Sequence, residues 1–148
     1  MNCHRILAFV APVSFLVLTS CGSDSPTQGE PALNCSGGVP LSVGSTISGE
    51  LQPGDELDID GAFLDRYALA VPTATTVRIT MRSAEVDSFL WLLTSGASVI
   101  AFDDDDGEGI FGLDAQISEP LARGCYLVET TSLDEGETGS YTLRTESL

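Results

Sequence analysis

Beyond residue 40 the chain alternates apolar and polar side chains with a period of two. Arg66-Tyr67-Ala68-Leu69-Ala70-Val71 places Tyr67, Leu69 and Val71 on one face, and Thr76-Val77-Arg78-Ile79-Thr80-Met81-Arg82 sets Val77, Ile79 and Met81 against Arg78, Thr80 and Arg82. Successive side chains of a strand point to opposite faces, so both segments predict half-buried antiparallel strands. Phe89-Leu90-Trp91-Leu92-Leu93 is apolar on both faces and predicts a central strand, with Trp91 in the core between Leu90 and Leu92. Ser98 to Phe102 returns after a turn at Ser95-Gly96-Ala97, which predicts a hairpin. Two later strands are predicted at Gly124 to Glu129 and Gly139 to Arg144, each starting as Gly-x-Tyr. Two earlier ones, Ser45 to Leu51 and Asp55 to Asp60, are joined by Gln52-Pro53-Gly54. No stretch has helical periodicity with caps. Turn signals every 8 to 12 residues or so predict that this all-β series closes as an antiparallel β-sandwich.

The amino-terminal segment has a different pattern. Met1 to Arg5 is short and carries Arg5, and an uncharged apolar run extends from Ile6 to Leu18. At about 1.5 Å per residue that run reaches roughly 20 Å as a helix, short of the ~30 Å hydrocarbon core, which favours a cleaved signal over a lasting span. Leu18-Thr19-Ser20-Cys21 follows it directly. The segment resembles a bacterial lipoprotein signal, with these four residues as the lipobox. The resemblance implies cleavage after residue 20 and acylation of Cys21, with Gly22 rather than Asp behind the Cys pointing to the outer membrane or cell surface. Two acyl chains suffice for stable anchoring.

Charge narrows the chemistry. The chain has 6 Lys+Arg against 22 Asp+Glu, a net charge of −16, and loss of residues 1–20 removes Arg5 and no acid. Such a surface repels nucleic-acid phosphates and favours cations or basic partners. There is no Lys, and the single His is His4 in the signal. The mature chain therefore cannot build a Ser-His-Asp triad, a Cys-His pair, a His-ligated zinc site, a Schiff base or a Ser-Lys dyad. Paired carboxylates acting as acid and base remain open, but no substrate cleft is evident and no catalytic residue is assigned. With Cys3 in the signal and Cys21 acylated, Cys35 and Cys125 remain in an oxidising compartment, where one disulfide is expected; two separate thiols are the alternative.

Residues 21–33 (CGSDSPTQGEPAL) follow the signal and read as the lipidated Cys and a flexible tether. Residues 34–148 are the size of one domain. Within it, the order of landmarks resembles the bacterial pre-peptidase C-terminal domain, related to the collagen-binding modules of clostridial collagenases. The landmarks are Ser48-Gly49-Glu50-Leu51 before a Pro-Gly-Asp turn, Asp65-x-Tyr67-x-Leu69, Asp87-Ser88-Phe89-Leu90 and Ile100-Ala101-Phe102-Asp103-Asp104-Asp105. Leu113-Asp114-Ala115-Gln116-Ile117 and the two Gly-x-Tyr starts complete the set. The resemblance implies a jelly-roll-like sandwich without catalytic function. Two departures stand out: Cys125 where Thr is common, and Ile110-Phe111 in a stretch where small polar residues are usual.

Asp103-Asp104-Asp105-Asp106-Gly107-Glu108-Gly109 concentrates carboxylates in one loop. Unit charges about 6 Å apart repel by roughly 0.7 kcal/mol per pair even in water, a cost that a bound cation removes. Hard oxygen ligands with Gly to turn the backbone suit Ca²⁺. No EF-hand fits, because Phe102 and Leu113 stand where its first Asp and closing Glu should be. Related modules bind calcium, and the expected ligands here are Asp103, Asp104, Asp106 and Asp114, with Asp87 close by; a solvated acidic turn is the alternative. Ile110 and Phe111 are the expected exposed contact surface. The chain thus reads as a lipid-anchored envelope lipoprotein displaying a calcium-stabilised module that binds a protein or polysaccharide. The other readings are an accessory or folding-assistance factor for a separately encoded secreted peptidase, and a purely structural envelope component.

Overall fold

The computed structural model describes residues 30–105, 107 and 113–148. Ten strands form two packed sheets, with no helix among the described residues. They are β1 (Val39–Ser42), β2 (Thr46–Leu51), β3 (Glu56–Leu57), β4 (Phe63–Val71), β5 (Thr75–Arg82), β6 (Ser88–Thr94), β7 (Val99–Asp103), β8 (Ala115–Leu121), β9 (Gly124–Ser132) and β10 (Gly139–Ser147). One sheet has the order β1-β4-β9-β6-β7, with β3 added on β4; the other has the order β2-β10-β5-β8. The fold is an all-β sandwich of the jelly-roll-like kind. Pairing is antiparallel except between β1 and β4, which run parallel.

Alternation selects the core as expected. Tyr67, Leu69 and Val71 of β4 face Val77, Ile79 and Met81 of β5, and Leu90, Leu92, Val128 and Leu143 complete the same cluster. Each fully buried aliphatic side chain contributes about 1.5–3 kcal/mol. The β6–β7 hairpin also forms, with a register shift between Leu92 and Leu93 and Ala97 at φ 61° in its turn. Cys35 and Cys125 are bonded, Cα to Cα 5.4 Å, so the chain just before β1 is clipped to β9.

Three expectations change. The strand expected at Asp55 to Asp60 is only the two residues of β3, because Asp58 turns the chain: its Oδ1 accepts the N–H groups of Asp60 and Ala62, both at 2.9 Å. β1 and β8 were not marked by alternation. In β1 one of four residues is buried, and β8 carries Pro120, which an edge strand tolerates. Finally, Trp91 is not in the core. Leu90 and Leu92 take the inner face of β6, so Trp91 is half-buried on the outer face.

Between the sheets lies a polar network that joins the resemblance-bearing motifs. The Tyr141 hydroxyl on β10 donates to Asp65 Oδ2 on β4 at 2.6 Å and accepts from Thr130 Oγ1 on β9 at 2.8 Å. The Tyr67 hydroxyl lies 2.5 Å from the same oxygen and, since the Tyr141 proton goes to Asp65, Tyr67 is the donor. Both tyrosines are buried. Burial pushes the Tyr141 hydroxyl far above its ordinary pKa, so it stays protonated and remains a donor. Gly49 pairs directly opposite Tyr141 on β2, and a Cβ there would lie 2.3 Å from the ring. The ring thus occupies the space a side chain at residue 49 would need.

Gly49→Ala is therefore expected to lower stability by about 1–3 kcal/mol through overpacking. Tyr141→Phe should cost roughly 1–3 kcal/mol by stranding its three partners. Urea unfolding measures both, and part of the Gly49→Ala loss should return when Tyr141 is also Ala, since the two are in contact.

Candidate functional site

The acidic loop begins where β7 ends. Asp103 pairs with Leu90 in register, so its side chain turns toward the other sheet, and its Oδ2 accepts the Gln116 N–H of β8 at 2.7 Å. The loop base is closed by the Gly107 N–H to the Asp114 carbonyl at 2.7 Å and the Ser88 N–H to the Leu113 carbonyl at 3.0 Å. A Cβ at Gly107 would meet the Asp114 backbone at 2.3 Å, so only glycine allows that closure.

Asp103, Asp104 and Asp105 each offer a carboxylate oxygen within 4.8 Å of the others. This set can hold one hard cation. Asp87, on the turn before β6, belongs to the same acidic end: burial first, then the charges of Glu137, Asp104, Asp134 and Asp105, hold its carboxyl above the usual range. Among the described residues no arginine pairs with Asp87, Asp104 or Asp105. Asp114, expected among the ligands, is buried and its Oδ2 lies 3.3 Å from Arg82 Nε, so an arginine already meets its charge. Asp105, not among the expected ligands, stands in the cluster. Asp106, Ile110, Phe111 and Cys21 lie outside the described residues.

A second feature occupies the outer face of the β6–β7 hairpin. Phe89, Trp91 and Phe102 form one aromatic group, with ring centroids 5.1 Å apart for Phe89–Trp91 and Trp91–Phe102 and 6.1 Å for Phe89–Phe102. Phe102 is 62% exposed, and Val99 and Ile100 on the same edge strand are also open. Glu129, directly opposite Trp91 on β9, is held by Arg66 Nε at 2.7 Å. Sequence reading missed this patch. Its signal was the shared parity of Phe89 and Trp91, opposite to that of Leu90 and Leu92.

No protein-family model matches the chain, and no curated protein sequence matches it significantly. Solved structures do. The pre-peptidase C-terminal domain of a Bacillus anthracis collagenase superposes with a TM-score of 0.55 at 18% identity, covering 73% of this chain and 93% of that domain. The fold resembles a pre-peptidase C-terminal domain. Aeromonas hydrophila PliG, a periplasmic inhibitor of g-type lysozyme, superposes with a TM-score of 0.52 at 16% identity, covering 74% of this chain and 96% of PliG. Two proteins with different stated roles thus share the sandwich, so the likeness is one of fold, and function has to be argued from the surfaces.

The polar network makes stability respond to pH. Burial, opposed by the Tyr141 hydrogen bond and helped by the charge of Asp55, raises the Asp65 pKa above 3.8. A raised carboxyl pKa contributes stability that is full below the unfolded-state value and is lost as pH rises through the folded-state value. In chelator, the urea midpoint of Asp65→Asn should therefore fall less than that of the unaltered chain between about pH 4 and pH 7. Equal slopes would remove Asp65 as the cause.

Proposed function

We propose that the chain is a lipid-anchored lipoprotein of the bacterial envelope that displays one non-catalytic sandwich for binding a protein with a basic surface. The aromatic group of Phe89, Trp91 and Phe102 carries this reading. Three clustered rings on an outer sheet face, one of them 62% exposed, are the composition of an interface centre rather than of a solvated sheet. The net charge of −16 favours a basic partner and speeds its approach. The lipobox and the disulfide support an extracytoplasmic address, since disulfides persist in oxidising compartments. No described helix is long and apolar enough to cross a membrane; in this reading Cys21 of the lipobox is the anchor. A polysaccharide ligand, a peptidase-accessory role and a purely structural role are the readings this one competes with.

Calcium belongs to the same reading. Bound by Asp103, Asp104 and Asp105, with Asp87 adjacent, it would relieve the repulsion at the acidic end next to the exposed edge of β7 and stiffen the aromatic face.

Because a PliG fold neighbour inhibits g-type lysozyme, such a lysozyme is the first partner to assay with the full chain in detergent micelles, alongside partners cross-linked to it in envelope membranes. Phe102→Ala is expected to weaken the complex at least tenfold, as loss of a central aromatic does, whereas Glu50→Gln on the opposite sheet should leave it unchanged. Partners that bind the Phe102→Ala and Trp91→Ala variants as they bind the unaltered chain would remove the aromatic face from the reading. For the metal, free calcium a hundredfold above its dissociation constant should add about 2.7 kcal/mol, a Tm rise of several degrees that Asp104→Ala abolishes. No rise, or an equal rise in the variant, would reject calcium at this loop.

A further inference from the structure

The outer face of the β2-β10-β5-β8 sheet is unlike the rest of this acidic chain. Of 6 basic residues in the whole sequence, Arg78, Arg82 and Arg144 stand on this face and line one groove. Strand pairing explains the convergence. Thr46, Arg144, Thr80 and Gln116 are register partners in a row across β2, β10, β5 and β8. Along β5, Arg78 and Arg82 rise on either side of Thr80, whose short, buried side chain forms the floor. The result is a notch of about 190 Å³ walled by guanidinium groups and floored by hydroxyl and amide groups, with no aromatic or aliphatic side chain in its lining.

The groove already displays the chemistry it favours. The Glu146 carboxylate bridges two walls, Oε1 at 3.3 Å from Arg78 Nη1 and Oε2 at 2.8 Å from Arg144 Nη2. Arg78 Nε is nevertheless buried with no hydrogen-bond partner among the described residues. A buried unsatisfied donor is costly, and a guanidinium edge is shaped for a planar carboxylate. Thr46, Thr142 and Gln116 around it are groups suited to sugar hydroxyls.

We propose that this groove binds a uronate, its carboxylate seated between Arg78 and Arg144 and its ring hydroxyls on the threonine and glutamine floor. The uronate comes either as a free sugar acid or as a residue of an acidic polysaccharide. Glu146 is the internal competitor that the ligand displaces or joins. The site lies on a different sheet from the aromatic group and does not depend on the protein-binding reading.

The test is calorimetric titration of the full chain in detergent micelles with galacturonate, trigalacturonate and methyl-esterified trigalacturonate. It is run at about 0.15 M salt, where repulsion from the remaining acids is screened beyond about 8 Å. The acid forms should bind and the ester at least about tenfold more weakly. Arg78→Gln and Arg144→Gln should each weaken binding about tenfold or more, while Glu146→Gln, which removes the competitor, should tighten it. A purely structural role for these side chains predicts no gain from Glu146→Gln. Arg66→Gln, on the other sheet, should bind as the unaltered chain does. If Arg78→Gln lowers the Tm, Arg144→Gln decides, since Arg144 is exposed and stands outside the core cluster. A trimer that binds tighter than the monomer identifies polysaccharide as the source; equal affinity per carboxylate identifies the free acid. Equal binding of acid and ester, no binding of either acid form, or weaker binding by Glu146→Gln would overturn the proposal.

Discussion

The docking of the two sheets depends on one oxygen atom, the Tyr141 hydroxyl, which meets Tyr67, Thr130 and Asp65 across the sandwich. With two donors directed to it and its own proton on a carboxylate, this oxygen leaves no orphan in the network, the condition under which buried polar groups specify one arrangement. The contacts reach β4 and β9 of one sheet from β10 of the other, and the ring covers Gly49 on β2. Slipping β4, β9 or β10 by one residue against its neighbours in the sheet would turn these side chains to the opposite face and expose the apolar set with them.

The landmarks of the resemblance take on a physical meaning here. Gly49, Asp65, Tyr67 and Tyr141 come from three separate motifs and meet in this single junction. Their job is sheet docking. The same sandwich occurs in a collagenase domain and in a lysozyme inhibitor, so the fold by itself says little about ligand.

With the inner faces committed to each other, chemistry is left to the outer faces and the loop ends, and these differ sharply. The β6–β7 hairpin shows three aromatic rings outward, whereas the β2-β10-β5-β8 sheet shows arginines and threonines. The acids gather at the end where β7 runs out, with Asp87 and Asp103 to Asp105 near one another. An acidic chain has thereby segregated its charge: arginines meet Asp114 and Glu146 on one sheet, while Asp87, Asp104 and Asp105 pair with no arginine among the described residues.

Local periodicity and residue inventory were enough for the all-β class, the inward-facing sets of β4 and β5, the cysteine pair and the exclusion of Lys-based catalysis. The sequence also marked the acidic run from Asp103 to Asp106. The closed sandwich sets Asp114 against Arg82, brings Asp105 to Asp103 and Asp104, turns Trp91 outward and gathers Arg78, Arg82 and Arg144 along one groove. All but the loop residue Asp105 share one reason. A period of two states which residues of a strand share a face, but not which face meets the other sheet when both are apolar, as in β6. Nor does it state which strands lie side by side: Arg144 and Thr80 are register partners although 64 residues separate them, and only the closed sandwich creates that neighbourhood.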